Sequence, residues 1–285
     1  MLLTCVLGGT PWKVDTSVSH DVSMSVRPLA PAHQQTSAFG LPPATSTDAC
    51  SVDSGASVNC PIVQGLCAHS CGTHTECVGH ALPGRVTLRD IDISKRSGLL
   101  PCLLVTVGVD ALGDSGDQYP PGSPTDSVIG LRSLQAGLAA LASSGAESFS
   151  ASALGCLTGG ALLLRSPSAP FKHLGRWSGT NPPYLTPALV QFALALGVEH
   201  LLVDLPSVDK EQDGGSLLSH RAFWGLPPRG EGDPAGPPYC PRTITEMVFV
   251  DEAIADGPFL LNLQVAPIEL DAAPSRPVLY PLLPV

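Results

Sequence analysis

No run of about eighteen apolar residues, the length a helix needs to cross a bilayer, occurs in the chain, so no membrane-spanning helix is expected. Basic residues are scarce as well. The 15 Lys and Arg stand against 25 Asp and Glu, a formal charge of −10. That sign argues against nucleic acid or an anionic membrane surface as the main partner. The opening MLLTCVLGGTPWKVD lacks a basic stretch and a long apolar run, so a secretory signal is not expected. There is no C-x-x-C pair, and the cysteines number 9, an odd count. This argues against a disulfide scaffold and for a reducing, cytoplasmic setting. Gly and Pro, 29 each, stay short of the roughly 25–30% at which low-complexity disorder becomes the better reading.

What is present suffices for a core: 285 residues, 44% of them hydrophobic, enough for one domain over 1–285. The densest chemistry lies in His69-Ser70-Cys71-Gly72-Thr73-His74-Thr75-Glu76-Cys77-Val78-Gly79-His80. In extended backbone, residues two apart point the same way, so His74 and Glu76 could present a nitrogen and an oxygen to one metal ion. His80 falls one loop further on, within reach of a metal-bound water. Imidazole and carboxylate suit zinc, manganese or iron, and such an ion brings the pKa of its water to about 7. Against this stands the plain alternative of scattered structural histidines. Cys71 and Cys77 read as small buried hydrophobes rather than ligands.

The rest of the chain reads as α/β, or mixed α+β. Residues 1–60 are short extended pieces, among them Val14-Asp15 and Val22 to Val26, with a long loop over 28–54. Asn59 to Val63 reads as a strand leading to the histidines, and Arg85 to Leu88 as another short extended piece. The run from Leu99 to Val109 is continuous enough to be a strand covered on both faces. A loop over 111–127 precedes a helix over Leu131 to Ala142, whose leucines recur at helical spacing. Gly159 to Arg165, a Thr186-capped helix ending at Gly197, and Val198 to Val203 form one β-α-β unit. A short helix around His220 and a Pro- and Gly-rich loop over 226–242 follow. Next come a strand over Thr243 to Val250, another over Phe259 to Val265, and a surface path over Asp271 to Tyr280. Glu246 falls on the apolar face of its strand, where a carboxylate is costly unless paired or metal-bound. The alternative is an edge strand with Glu246 at a solvated rim.

Gly72-Thr73-His74, the carboxylate at 76 and His80 resemble the signature of the metal-dependent cyclase/arylformamidase family, which includes bacterial kynurenine formamidases. In its common form that signature is His-x-Gly-Thr-His-x-Asp-x-Pro-x-His. Asp204-Leu205-Pro206-Ser207-Val208-Asp209 resembles the family's second block, and the segments around His220 and Glu246 its third and fourth. The likeness spans roughly residues 58–268. It implies a compact, β-rich single domain of the swivelling β/β/α type, a Zn or Mn cofactor (one or two ions) and a homodimer. The implied activity is hydrolysis of a small-molecule amide, N-formylkynurenine first, by attack of a metal-bound water. Position by position, it implies His69, His74, Glu76, His220 and Glu246 as metal ligands, and His80 with Glu246 as the catalytic pair. Thr73, Trp177, Asn181 and Trp224 are the candidates for substrate binding.

Three positions depart from the signature. Ser70 stands where the first histidine belongs, with His69 beside it, Glu76 replaces Asp, and Val78 replaces Pro. Two other readings stay open: a relative that binds metal or ligand without turnover, and a cyclase, dehydratase or lactam hydrolase of the same family.

Overall fold

The computed structural model describes residues 1–7, 9–93, 98–143, 154–166, 172, 175–232 and 240–285. In chain order the strands are β1 (Leu2–Leu7), β2 (Thr10–Asp15), β3 (His20–Asp21), β4 (Thr45–Cys50), β5 (Cys60–Gln64), β6 (His74–Glu76), β7 (Gly98–Thr106) and β8 (Asp110–Ala111). They continue with β9 (Ser127–Ile129), β10 (Ala161–Arg165), β11 (Tyr184–Leu185), β12 (His200–Val203), β13 (Thr243–Glu246), β14 (Gly257–Val265) and β15 (Ala272–Pro284). The helices are α1 (Ala68–Cys71), α2 (Leu112–Ser115), α3 (Leu131–Ser143), α4 (Pro187–Ala195) and α5 (Leu218–Trp224).

The large sheet closes on itself. Its order runs β15-β14-β7-β10-β12-β13-β6, and β6 pairs back onto β15. Strands β7, β10, β12 and β13 are mutually parallel, while β6, β15 and β14 run antiparallel to their neighbours. Period-two alternation divides the apolar runs between two cores. Cys102, Leu104, Leu163, Leu202, Leu261 and Leu279 come from strands all round the ring and fill its lumen. Leu103, Val105, Leu162, Leu164, Leu201 and Ile244 face outward and pack with Leu134 of α3, Leu189 of α4 and Phe223 of α5. Each fully buried leucine of this kind contributes about 2 kcal/mol by removing its side chain from water.

The β-α-β unit is present as β10-α4-β12. Thr186 caps α4, its Oγ1 accepting from the Leu189 N–H at 3.4 Å. Gly197 ends the helical stretch at φ +87°, where a Cβ would also lie 3.0 Å from Thr158 Cα. Both reasons call for glycine.

Several expected loops are structured. Segment 28–54 contains β4, which pairs with β5 in a hairpin. That pairing leaves β5 fully exposed instead of leading into the core. Segment 111–127 holds the one-turn α2 and the start of β9. Around 22–26 the pairing is limited to β3 and one bridge between Ser23 and Val248. Arg85 to Leu88 forms no strand, and Arg85 sits at φ 57°. Strand β13 stops at Glu246 because Met247 turns to φ 56°, a left-handed conformation a strand cannot continue through. The stretch 226–242 lies partly outside the described residues.

The largest correction concerns the C-terminal path. Residues 272–284 form the long strand β15, which pairs with β6, β14, β3 and β2 in turn. Its four prolines read as loop because each removes a ladder donor. The strand tolerates them by changing partners along its length. Among the described residues no helix is long and apolar enough to cross a membrane.

Candidate metal centre

Antiparallel pairing sets the site. His74 lies opposite Glu246 and Glu76 opposite Ile244. Directly opposed residues share a face, so His74, Glu76 and Glu246 all project outward beside Ile244 toward α5. Thr75 and Thr245 point the other way and join hydroxyls at 2.8 Å. Helix α5 brings His220, α1 brings His69, and the 3-10 turn Val78–His80 brings His80. Asp271, immediately before β15, completes the ring.

The contacts are close. His220 Nε2 lies 2.7 Å from Glu76 Oε1 and 3.4 Å from Glu246 Oε1. His69 bridges two carboxylates, with Nδ1 3.2 Å from Glu76 Oε2 and Nε2 3.0 Å from Asp271 Oδ2. His80 Nδ1 lies 3.4 Å from Asp271 Oδ2 and 3.8 Å from Glu76 Oε2. The His69 and His80 rings are 4.3 Å apart, and those of His80 and His220 5.3 Å. Glu76, His74, His220 and Glu246 are buried, whereas His69, His80 and Asp271 are half-buried at the mouth.

His220 and Glu246 are oriented from behind. Asp209 Oδ2 lies 2.7 Å from His220 Nδ1 and accepts the His220 N–H at 3.0 Å. Its Oδ1 accepts from the Ser219 N–H and the Tyr119 hydroxyl, each at 2.8 Å. Glu246 Oε1 accepts the Val208 N–H at 2.8 Å.

Gly72 and Gly79 are required by close packing. A Cβ on Gly79 would lie 1.9 Å from the Val86 carbonyl, and one on Gly72 2.8 Å from the Met24 carbonyl. Both keep the histidine segment pressed against its neighbours.

Burial and charge oppose each other throughout the centre. Burial raises the Glu76 carboxyl, but the His80 and His220 charges win and hold it well below the usual range. Burial likewise disfavours the His220 imidazolium, yet Glu76 and Asp209 hold its pKa well above the ordinary value. His69, opposed by burial but bonded to Asp271 and Glu76, is raised to about 10. Hydrogen bonds from His69 and His80 lower Asp271. Without an ion, protonated imidazoles are what balance these carboxylates.

The donor set fits a metal ion. His74 Nδ1 lies 3.0 Å from the Gly72 carbonyl, which can only accept, so this nitrogen donates and Nε2 is the ring atom left to face the centre. Both His74 Nε2 and Glu76 Oε2 are buried and lack a well-directed hydrogen bond, their nearest polar neighbours being Glu246 Oε2 at 3.4 Å and His69 Nδ1 at 3.2 Å. Two electron-rich atoms left so is the arrangement a cation resolves. Among the described residues, donor atoms within 4.8 Å of one another occur in three sets: His69, His74 and Glu76; His69, His80 and Asp271; Glu76, His80 and His220.

A family model described as "Putative cyclase" matches residues 17–210, more than half of the chain. The chain belongs to the putative cyclase family.

Solved structures share the fold of this cyclase-family chain at low identity. An isatin hydrolase bound to the product analogue thioisatinate superposes at a TM-score of 0.59 with 15% identity, covering 94% of this chain and 92% of its own. Isatin hydrolase A from Labrenzia aggregata gives 0.58 and 13%, covering 92% and 93%. A "predicted metal-dependent hydrolase from Bacillus stearothermophilus" gives 0.55 and 13%, covering 92% and 98%. No curated protein matches in sequence.

The cyclase-family fold thus gathers His69, His74, Glu76, His80, His220 and Glu246 in one place. His69 arrives through the single turn of α1, while Ser70 is buried beside Cys71. Cys71 and Cys77 are buried too. Glu246 is not at a solvated rim but 2% exposed. Trp224 lies alongside, its ring 5.3 Å from His220.

Three expected residues are placed elsewhere. The Thr73 hydroxyl is spent on the backbone, donating to the Met247 carbonyl and accepting the Met24 N–H. Trp177 is buried with Ala38 and Met247. Asn181 donates to Asp126 at 3.2 Å. Asp271 and the orienting role of Asp209 escaped sequence reading. Asp209 stood within the second block of the resemblance, but Asp271 has no local signal, since β15 alone brings it in.

Proposed function

We propose that the chain is a metal-dependent amidohydrolase cleaving a carbon–nitrogen bond in a small aromatic amide, with N-formylkynurenine, an intermediate of tryptophan breakdown, as the leading substrate. The observation that carries this reading is the convergence of buried donor atoms, His74 Nε2 and Glu76 Oε2 without a well-directed hydrogen bond among further imidazoles and carboxylates. In this proposal His69, His74, Glu76, His220 and Glu246 hold one or two Zn or Mn ions, with Asp271 at the outer rim. A bound ion of this kind supplies an acidified water and a Lewis acid for a carbonyl oxygen.

The chain's own residues do the rest. His80 sits at the half-buried mouth with Nδ1 turned to Asp271. There it takes a proton from water and returns it to the leaving amine, so that formamide and water become formate and amine. Asp209 fixes the His220 ring, and the Val208 N–H fixes Glu246. Trp224 offers an apolar face to an aryl ring. Assembly as a homodimer belongs to the same proposal and is checked by sedimentation.

The test pairs elemental analysis of the purified protein with formate release from N-formylkynurenine. One or two ions per chain with formate release is the expected result. Absence of metal even after reconstitution would refute the centre. Bound metal without formate would refute the substrate and move the assay to lactams. That second reading, lactam opening, is favoured by the isatin hydrolases among the structural neighbours. Isatin itself, an aromatic cyclic amide, is the substrate that separates the two.

A further inference from the structure

The hairpin of β4 and β5 stands outside the closed sheet and, among the described residues, pairs only with itself. Cys50 and Cys60 are register partners across it. Directly opposed residues of an antiparallel ladder have Cα atoms about 4.5–5.5 Å apart and side chains on one face. That separation falls inside the roughly 4.4–6.8 Å over which a disulfide closes without moving backbone. Both thiols are free, Cys60 exposed and Cys50 partly so.

The register shifts by one residue between Asp48 and Cys50, and side-chain hydrogen bonds flank the pair on either side of it. Beyond it, Val52 N–H donates to Asn59 Oδ1 at 2.8 Å. Before it, Gln64 Nε2 donates to Thr47 Oγ1 at 3.2 Å. The deep thiols behave differently. Cys71, Cys77, Cys102 and Cys156 are buried, and burial pushes the thiol of Cys77 up to about 12 and that of Cys156 to about 11. Such thiols are inert at neutral pH.

We propose that Cys50 and Cys60 are a site of reversible disulfide modification, formed by exchange with a low-molecular-weight disulfide. The thiolate of one cysteine attacks the small disulfide and displaces one small thiol, leaving a mixed disulfide. The second cysteine's thiolate attacks the protein sulfur of that bond and displaces the other. Two protein thiols are oxidised, one small disulfide is reduced to two thiols, and both protons end on those thiols. The bond staples the hairpin that runs through Gly65 and Leu66 into α1, the element carrying His69.

The test equilibrates the full chain with oxidised and reduced glutathione, quenches it by alkylation, and maps peptides by mass. The expected result is a Cys50–Cys60 cross-link that rises with oxidised glutathione and reverses with dithiothreitol. Cys50→Ser and Cys60→Ser should each abolish the cross-link and collect a glutathione adduct on the remaining cysteine. Alkylation of both residues at every glutathione ratio would overturn the proposal, as would pairing of either with another cysteine such as Cys67. The wild-type map decides the matter even if a serine variant misfolds.

Discussion

Replacing Asp209 with Asn tests whether the centre depends on groups that stand behind it. The side chain keeps its size, yet the wild-type carboxylate accepts on both oxygens. Oδ2 takes His220 Nδ1 and N, and Oδ1 takes Ser219 N and the Tyr119 hydroxyl. Whichever way an amide is turned, its NH2 meets two donors. A hydrogen bond to a charged group contributes about 1.5–3 kcal/mol. Loss of a carboxylate behind a metal-bound histidine lowers affinity about 10- to 100-fold, which is about 1.4–2.7 kcal/mol. The two ranges agree, so the expected loss in Zn affinity is 10- to 100-fold, read by competition with a chromophoric chelator. Tyr119→Phe removes one of the four donors to this carboxylate and leaves both contacts to His220, so it should lower Zn affinity less than Asp209→Asn does. An Asp209→Asn protein that binds Zn within about twofold of the parent would refute the argument that this carboxylate orients His220.

His74→Ala should lose both metal and turnover in elemental analysis and formate assays, whereas His80→Ala should keep its metal and lose about 10²- to 10⁴-fold in rate. A fully active His80→Ala enzyme would remove His80 from proton transfer. Gly79→Ala forces a Cβ to 1.9 Å from a carbonyl oxygen and should destabilise the fold by about 1–3 kcal/mol or more in urea unfolding. In the chelated protein, His69 has its pKa raised to about 10. Its stabilising share is then complete below the ordinary imidazole value and is lost as pH climbs through that figure, so thermal unfolding in chelator should shift downward between pH 7 and 10.5. Because the same proton must leave before His69 can ligate, Zn loading at pH 7 should release protons. Calorimetry in buffers of different ionisation enthalpy reads that release, and a heat independent of buffer would contradict it.

The residues by themselves determined much of this protein. Near-continuous apolar runs along 99–106, 161–165 and 200–203 specified strands, because burial on two faces requires apolar residues at successive positions. Thr186, Pro187 and Gly197 marked a helix because capping and left-handed backbone are local properties. His74 and Glu76, two apart, were bound to share a face once extended, and Glu246 in an apolar strand demanded a partner wherever it went. Tertiary structure decided the rest. The prolines of 272–284 hid β15, which pairs with neighbouring β14 and with three strands distant in sequence, and with it Asp271. The orientation of His220 by Asp209, the arrival of His69 through a turn of α1 in place of the residue at Ser70, and the diversion of Thr73 to Met24 and Met247 are equally non-local. Spacing along the chain tells which side chains can face one way, whereas only closure of the sheet brings β6, β13 and β15 together and sets which atoms are left buried without a well-directed hydrogen bond.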